Sequence, residues 1–313
     1  MADPSDTNVL YLGLLVPALM ALIAGLVIHS FIIGVNVSDW WRGRSLTPVD
    51  HVVFAIEISR ICSQSTATLY YLLDFLSRRN LSFPLTQRIV GINYSLFNYG
   101  NFWLTSLLSI VFYLKVSNIH TRLFVYLRRM MLPRTGCLIV ASLLLSAINC
   151  VLPMLKTITE VINRKYNKTT DNLFNNYPNV DAVYNFSIGT FFPLVFYCIS
   201  SVLLFVSLYH HTTRMKMSSN LSINLETYYS AMRFVTVTFI YNTTYFIVLF
   251  FCVFYYYLYR LNLKWILIFL EVLPALHSSF LIYRTAKLRS QMSKVLQNVM
   301  DFLFQNTKNP KRT

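Results

Sequence analysis

The chain has 313 residues, of which 55% are apolar and only 12% charged, against roughly 45–50% and about 25% in soluble domains. That is too little charge to cover two soluble globules, which the length alone would allow. The balance of 27 Lys and Arg against 12 Asp and Glu, a net +15, points to nucleic acid or a membrane surface. Because the basic residues fall in loops between apolar stretches rather than in one patch, the membrane reading stands and nucleic acid is excluded as a partner.

A bilayer core about 30 Å thick needs roughly 20 mostly apolar residues in a helix, and seven stretches meet that length. In chain order they are Val9 to Val35, Val49 to Leu76, Leu85 to Leu114, Gly136 to Leu155, Tyr184 to Tyr209, Ser230 to Tyr257 and Lys264 to Tyr283. Asp50, Glu57, Arg60, Asp74 and Arg88 interrupt the second and third, as happens on faces turned toward a bundle interior. The expected fold is an all-α membrane protein, a seven-transmembrane helix bundle over residues 1–284 with a cytoplasmic tail over 285–313. In the tail, Leu288, Met292, Val295 and Leu296 are apolar at helical spacing, which predicts a short amphipathic helix lying in the interface.

Charges orient the bundle. With the N-terminus outside, 17 Lys and Arg fall in inner loops and tail and 8 in outer loops, while Arg60 and Arg88 lie inside spans; this obeys the positive-inside rule. The first eight residues hold Asp3 and Asp6 and no base, so the first span reads as a retained anchor rather than a cleaved signal. All five cysteines fall within spans, and no disulfide framework is predicted. Of the glycosylation sequons, Asn80, Asn167 and Asn185 lie at outer loops and Asn36 and Asn220 inside; Asn167, in the middle of the longest outer loop, is the candidate.

No phosphate loop, metal-spaced His and Cys set or nucleophile elbow occurs in the sequence, so neither an enzyme nor a cofactor or metal site is expected. The feature that needs explaining is charge inside the spans, at about 2.5–3.5 kcal/mol per group on insertion scales. Glu57 and Arg60 are three apart and can pair on one helix. Glu271 precedes Ser278 by one heptad on the seventh span. Counting rise per residue, Arg60 and Glu271 stand roughly 15 and 20 Å from the inner end, close enough to form a polar clasp, which is either structural or part of a switch or ligand site. Tyr94, Asn98, Phe102 and Thr105 form a mixed stripe on the third span, and Tyr241, Asn242 and Tyr245 a similar surface on the sixth. Such stripes pack against neighbouring helices or line an amphipathic cleft; both readings stay open here.

Longer strings carry a family resemblance. The second span reads HVVFAIEISRI, His51 to Ile61. WLTSLLSIVFYLKVSN follows the middle of the third span, from Trp103 to Asn118, and LFVYLRRM runs from Leu123 to Met130. PLVFYCISSVLLFVSLYHHTTRMK spans Pro193 to Lys216, and PALHSSFLIYRTAKLR spans Pro274 to Arg289. In order and position these resemble the type 2 taste receptors, the bitter taste receptor family of G-protein-coupled receptors. The DRY and NPxxY strings of rhodopsin-like receptors are missing.

The resemblance implies a plasma-membrane receptor for small-molecule bitter agonists that activates a heterotrimeric G protein. It implies that Arg60 is a structural hub and that His277 and Ser278 are the family's seventh-span pair, while Glu57 joins this structural or switch group through its spacing to Arg60. It implies that Lys115, Asn118, His211, Met215 and Lys287 face the G protein, and that Tyr94, Asn98 and Tyr245 line the ligand cleft; the reading of the residues themselves adds Arg128 to the basic inner face and Tyr241 and Glu271 to the cleft. His29, Glu57 and Thr285 depart from the family pattern and put its bonding between the first, second and seventh spans in question. A transporter would instead show pseudo-repeats and paired broken helices, and Pro17, Pro153, Pro193 and Pro274 follow no such symmetry. A vomeronasal-type chemosensory receptor shares the topology but not the FYLK and HSSFL strings.

Overall fold

The computed structural model describes residues 4–78, 84–117, 121–166, 187–217, 222–259 and 264–308. Among the described residues all regular structure is helical: α1 (Pro4–Trp41), α2 (Pro48–Arg78), α3 (Pro84–Val116), α4 (Arg122–Met131), α5 (Thr135–Tyr166), a π-helical turn (Ser187–Phe191) leading into α6 (Phe192–Met217), α7 (Ser222–Tyr259), α8 (Lys264–Arg284) and α9 (Ala286–Lys308). Among the described residues four stretches are long and apolar enough to cross a membrane: Leu15–Trp41, Thr135–Thr159, Ser187–Thr213 and Ala231–Cys252. They correspond to the first, fourth, fifth and sixth expected spans. α2 and α3, at 31 and 33 residues, have the length but not so apolar a stretch, because they carry interior polar groups; α8 has 21 residues, of which the side chains near its start lie outside the description.

Local chemistry sets several boundaries. Pro48 and Pro84 open α2 and α3, at the position where a missing N–H costs nothing. Thr47 and Asp50 cap α2 reciprocally: the Asp50 amide donates to Thr47 Oγ1 at 3.3 Å and the Thr47 amide to Asp50 Oδ2 at 3.0 Å. α1 ends in a Schellman turn. Gly43 takes φ +71, its amide donates to the Trp40 carbonyl at 3.0 Å and that of Arg44 to Asp39 at 3.0 Å.

The helices run past the expected bounds. α1 continues through VNVSDWW, and α5 carries Pro153 and continues to Tyr166, so the start of the longest outer loop is helix. The tail helix has 23 residues and is not short. α4 lies where a plain loop was expected; Thr121 caps it, accepting from the Phe124 amide at 3.4 Å.

α3 is the central helix, packing on α2, α5 and α6, while α1 packs on α2 and α8. One apolar core gathers Ile32, Val52, Ile56, Leu104, Val111 and Leu281 from α1, α2, α3 and α8, with Leu288 of α9. Another joins Phe102, Phe246, Leu249 and Leu270. Hydroxyls bring α3 close to α6: Ser106 donates to the Pro193 carbonyl at 2.6 Å, Ser200 to Ser109 at 2.8 Å and Ser207 to Ser117 at 2.9 Å, and Ser109 and Ser201 share a bond of 2.8 Å. Small side chains of this kind let helices approach where lipid offers no hydrophobic drive. Outward faces keep large apolar residues in contact with the surroundings, Met20, Val27, Leu144, Ile199 and Phe269 among them, which in water would be an aggregation surface.

Two glycines test the packing. A Cβ on Gly189 would stand 2.5 Å from the Tyr99 ring, whereas one on Gly34 meets nothing within 4 Å. Gly189→Ala is therefore expected to cost about 1–3 kcal/mol through overpacking, and Gly34→Ala to be neutral or to stabilise by up to about 1 kcal/mol. Thermal unfolding of the detergent-solubilised protein separates the two, and equal melting temperatures for both variants would contradict this packing.

Candidate functional site

The helix ends bearing Lys115, Arg128 and Lys287 define the basic end of the bundle. Arg60 lies on α2, whose N-terminus is at that end. Helical side chains lean toward their own N-terminus, so the guanidinium reaches toward the basic end and meets α8 at Ser278 and His277. The Glu271 side chain, on the oppositely directed α8, leans away from that end. The expected clasp between the second and seventh spans therefore forms, but with different partners: Arg60 pairs with Ser278 and His277, and Glu271 with Tyr94.

In the clasp, Arg60 Nη1 donates to Ser278 Oγ at 2.6 Å and lies 3.3 Å from Glu57 Oε1. Its Nη2 donates to His277 Nδ1 at 3.2 Å, which leaves the proton of the neutral His277 ring on Nε2. Ser278 Oγ in turn donates to the Glu57 carboxylate, with its oxygens at 3.0 and 2.9 Å. The other face of that carboxylate accepts from His29 Nδ1 of α1. His29, Glu57 and Ser278 are fully buried, and Arg60 is 5% exposed. Charges so far from water are tolerable only with their bonding satisfied on several sides, and here three helices supply the partners. His29 and Glu57, two of the departures, are bonded to each other.

Farther from the basic end, Tyr94 Oη donates to Glu271 Oε1 at 2.9 Å, and Gln64 Nε2 donates to the Glu271 backbone carbonyl at 2.9 Å. Tyr245 Oη donates to Asn98 Oδ1 at 3.5 Å and its ring packs on Phe102, centroids 5.6 Å apart. Thus α3, α7 and α8 bring Tyr94, Asn98, Tyr245 and Glu271 into one polar and aromatic cluster. Tyr241 sits lower, its ring 5.2 Å from His277, and so belongs with the clasp. Its neighbour Asn242 bonds Tyr197 Oη at 3.0 Å, tying α7 to α6. A cavity of about 140 Å³ opens below His277 between α3, α6, α7 and α8, with Thr105, Tyr197 and Asn242 in its wall.

At the basic end Lys287 is engaged internally, 2.8 Å from Asp39, 3.7 Å from Asp50 and 3.2 Å from Asn36 Oδ1. It locks α9 to α1 and α2, and Asn36, one of the two sequons expected on the inner side, is buried in that lock. Thr285 is the single non-helical residue between α8 and α9. Lys115 and Arg128 are exposed and His211 is half-buried. Asn118 and Asn167 lie outside the described residues, as do the sequons Asn80, Asn185 and Asn220; α6 includes Met215, but its side chain is likewise outside the description. Among the described residues no group of three His, Cys, Asp or Glu could hold a metal, and all five cysteines are free thiols.

Sequence reasoning passed over Gln64, the serines between α3 and α6, and the acidic partners of Lys287. Ser106 and Ser109, three apart and opposite Ser200 and Ser201, were the available signal; Gln64, one turn beyond Arg60, was another.

Removal of the guanidinium in Arg60→Ala leaves Glu57 buried with its positive partner gone, at an expected cost of about 3–5 kcal/mol. Glu57→Ala added to it should restore part of that stability. Thermal unfolding and surface expression read both, and a double variant no more stable than Arg60→Ala would refute the pairing.

Residues 7–300 match the family Taste receptor protein (TAS2R). The chain is 28% identical over 211 residues to taste receptor type 2 member 140 of Rattus norvegicus, covering 65% of this chain and 66% of the relative. It is 28% identical over 230 residues to taste receptor type 2 member 16 of Homo sapiens, covering 70% and 74%. To taste receptor type 2 member 7 of Rattus norvegicus it is 24% identical over 227 residues, covering 70% of each. A family match over nearly its whole length, on a chain of long apolar helices, identifies it as a membrane-embedded member of the type 2 taste receptor family, a receptor and not an enzyme.

Proposed function

We propose that the protein is a bitter-taste receptor of the plasma membrane, with seven spans formed by α1, α2, α3, α5, α6, α7 and α8, its N-terminus outside and the basic end in the cytoplasm. A small amphipathic agonist enters from outside and binds the cluster of Tyr94, Asn98, Tyr245 and Glu271. The active arrangement has the higher affinity for that agonist, so binding shifts the population toward it, and a heterotrimeric G protein engages the basic face. The carrying observation is positional: Glu271 of the outer cluster and Ser278 of the clasp lie one heptad apart on α8, and each is bonded to a different neighbour, α3 and α2 respectively. A ligand that displaces Tyr94 from Glu271 acts on the helix that Arg60 holds.

Support for the G-protein face comes from the exposed bases Lys115 and Arg128 at the inner ends of α3 and α4, which suit an acidic partner helix and anionic headgroups. Asn118, His211 and Met215 complete the proposed surface. Lys287 contributes by anchoring α9, and Asn167 is the proposed glycan site. Tyr241 acts on the clasp through His277.

In cells given a suitable G protein and challenged with a library of bitter compounds, calcium release is expected. Alanine at Tyr94, Asn98 and Tyr245 together should move the dose response at least about tenfold to the right, the loss of one good polar contact. An unchanged dose response would mean the cleft lies elsewhere, and agonist-independent substrate uptake would favour a transporter instead. Lys115→Ala with Arg128→Ala should lower the maximal response while leaving agonist binding intact.

A further inference from the structure

The basic residues at the inner end differ in what answers their charge. Lys287 meets Asp39 and Asp50, and Arg44 meets Asp39. Arg284 lies 5.9 Å over the Phe280 ring. The segment joining α3 to α5 carries Arg122, Arg128, Arg129 and Arg134, and no Asp or Glu occurs anywhere between Asp74 and Glu160. All four arginines are exposed, and among the described residues none of them makes an ion pair. The segment therefore presents positive charge with nothing in the chain to offset it.

α4 turns one side to the bundle. Phe124 is buried against Tyr113 of α3, ring centroids 5.4 Å apart, and Leu127 and Met131, both partly buried, follow it at helical spacing. Arg122, Val125, Tyr126 and Arg129, at i, i+3, i+4 and i+7, line the opposite side. Val125 and Tyr126 are 50% and 64% exposed, so this side sets two apolar side chains between two guanidinium groups. A bilayer interface suits that pattern, taking the ring at the apolar edge of the headgroup layer and the guanidinium groups at its phosphates. The chain holds α4 near such a layer, because α3 ends at Val116 and the apolar stretch of α5 starts at Thr135. A second copy of this chain is a poor occupant: two such sides would oppose four guanidinium groups with no acid between them.

We propose that the outward side of α4, formed by Arg122, Val125, Tyr126 and Arg129, binds a phosphoinositide of the inner leaflet that carries two phosphomonoesters. Arg122 and Arg129 stand roughly 10 Å apart along the helix axis. Each guanidinium fork takes the oxygens of one phosphate, and a headgroup with two phosphomonoesters bridges the pair where a single phosphodiester engages one. Val125 and Tyr126 lie against the acyl chains below the headgroup. Placing α4 at the inner leaflet rests on the receptor topology proposed above, though the binding itself does not. Arg128 stands about 100° round the helix from Arg129, so the lipid and a G protein read different sides of α4. A seated lipid holds α4 against Tyr113, two residues before Lys115 on α3.

The test titrates the full-length protein, in a non-ionic detergent, with water-dispersible dioctanoyl lipids and reads the thermal midpoint. Phosphatidylinositol bisphosphate is expected to raise it at concentrations where phosphatidylserine and unphosphorylated phosphatidylinositol do not. Arg122→Gln with Arg129→Gln should weaken the bisphosphate about thirtyfold, the effect of removing two bases at a headgroup surface. Arg128→Gln with Arg134→Gln removes the same charge and should weaken it far less. If the first pair fails to fold, Arg122→Lys with Arg129→Lys serves: it keeps the charge, loses the forks and should still bind the bisphosphate more weakly. Inositol trisphosphate, the headgroup without its chains, should bind less tightly than the lipid. Equal stabilisation by the three lipids, equal loss in the two glutamine pairs, undiminished binding by the lysine pair or headgroup binding as tight as the lipid overturns the proposal. So does a variant at Arg122 and Arg129 that keeps the lipid but loses calcium release, which would give this side of α4 to the G protein. A protein that binds the bisphosphate but never releases calcium would sink the receptor reading alone, and calcium release without bisphosphate binding would sink this one alone.

Discussion

A guanidinium and a carboxylate buried together in an apolar bundle constrain everything around them. Arg60 and Glu57 cannot be left with bonds unmade, since losing one partner of a buried pair costs about 3–5 kcal/mol. Ser278 sits between them, accepting from one and donating to the other, and His277 and His29 close the remaining sides. The cluster thereby fixes the rotation of α1, α2 and α8 about their own axes. Apolar packing alone would do this poorly, because lipid and core side chains are chemically alike. Gly25 follows from the same constraint: a Cβ there would fall 1.9 Å from Gln64 Oε1, so α1 comes against α2 at the residue that bonds the α8 backbone.

The two departures at the clasp explain each other. An added acid beside Arg60 would carry an unmatched lone-pair face in a dry interior, and the histidine at position 29 supplies the donor for it. The bonding between α1, α2 and α8 is thus rebuilt with ionisable groups rather than lost. Thr285, the third departure, sits at the junction of α8 and α9, where its amide still bonds the Leu281 carbonyl at 3.0 Å; nothing in the structure assigns its side chain a special part.

A second layer of organisation lies across α3. On one side it bonds α6 through serines, on the other it carries Tyr94 and Asn98 toward α8 and α7. The hydroxyl contacts are short and neutral, so they can exchange partners at small cost, whereas the clasp cannot. That difference, together with the cavity beside Thr105 and Asn242, sets the neutral contacts among α3, α6 and α7 apart from the ionic clasp of α1, α2 and α8.

Much of this was legible in one dimension. Long apolar stretches are dictated by the thickness of hydrocarbon, so helix existence follows from counting. The polar residues that matter were visible because charge inside apolar helices is rare. Their partners were not. Depth along a helix suggested that Arg60 and Glu271 would meet, but side chains lean toward their own N-terminus, and antiparallel α2 and α8 send these two in opposite directions. Tyr241 and Tyr245 do share a face of α7, but four residues are about 6 Å along the axis, enough to put Tyr241 against His277 of the clasp and Tyr245 against Asn98. Lys287 read as an outward base until Asp39 and Asp50 were brought beside it. Composition and order alone determined that this chain is a bundle of membrane helices with a basic end. Which buried groups satisfy one another was decided only by tertiary structure, because hydrogen bonds depend on angle and distance that linear spacing does not carry.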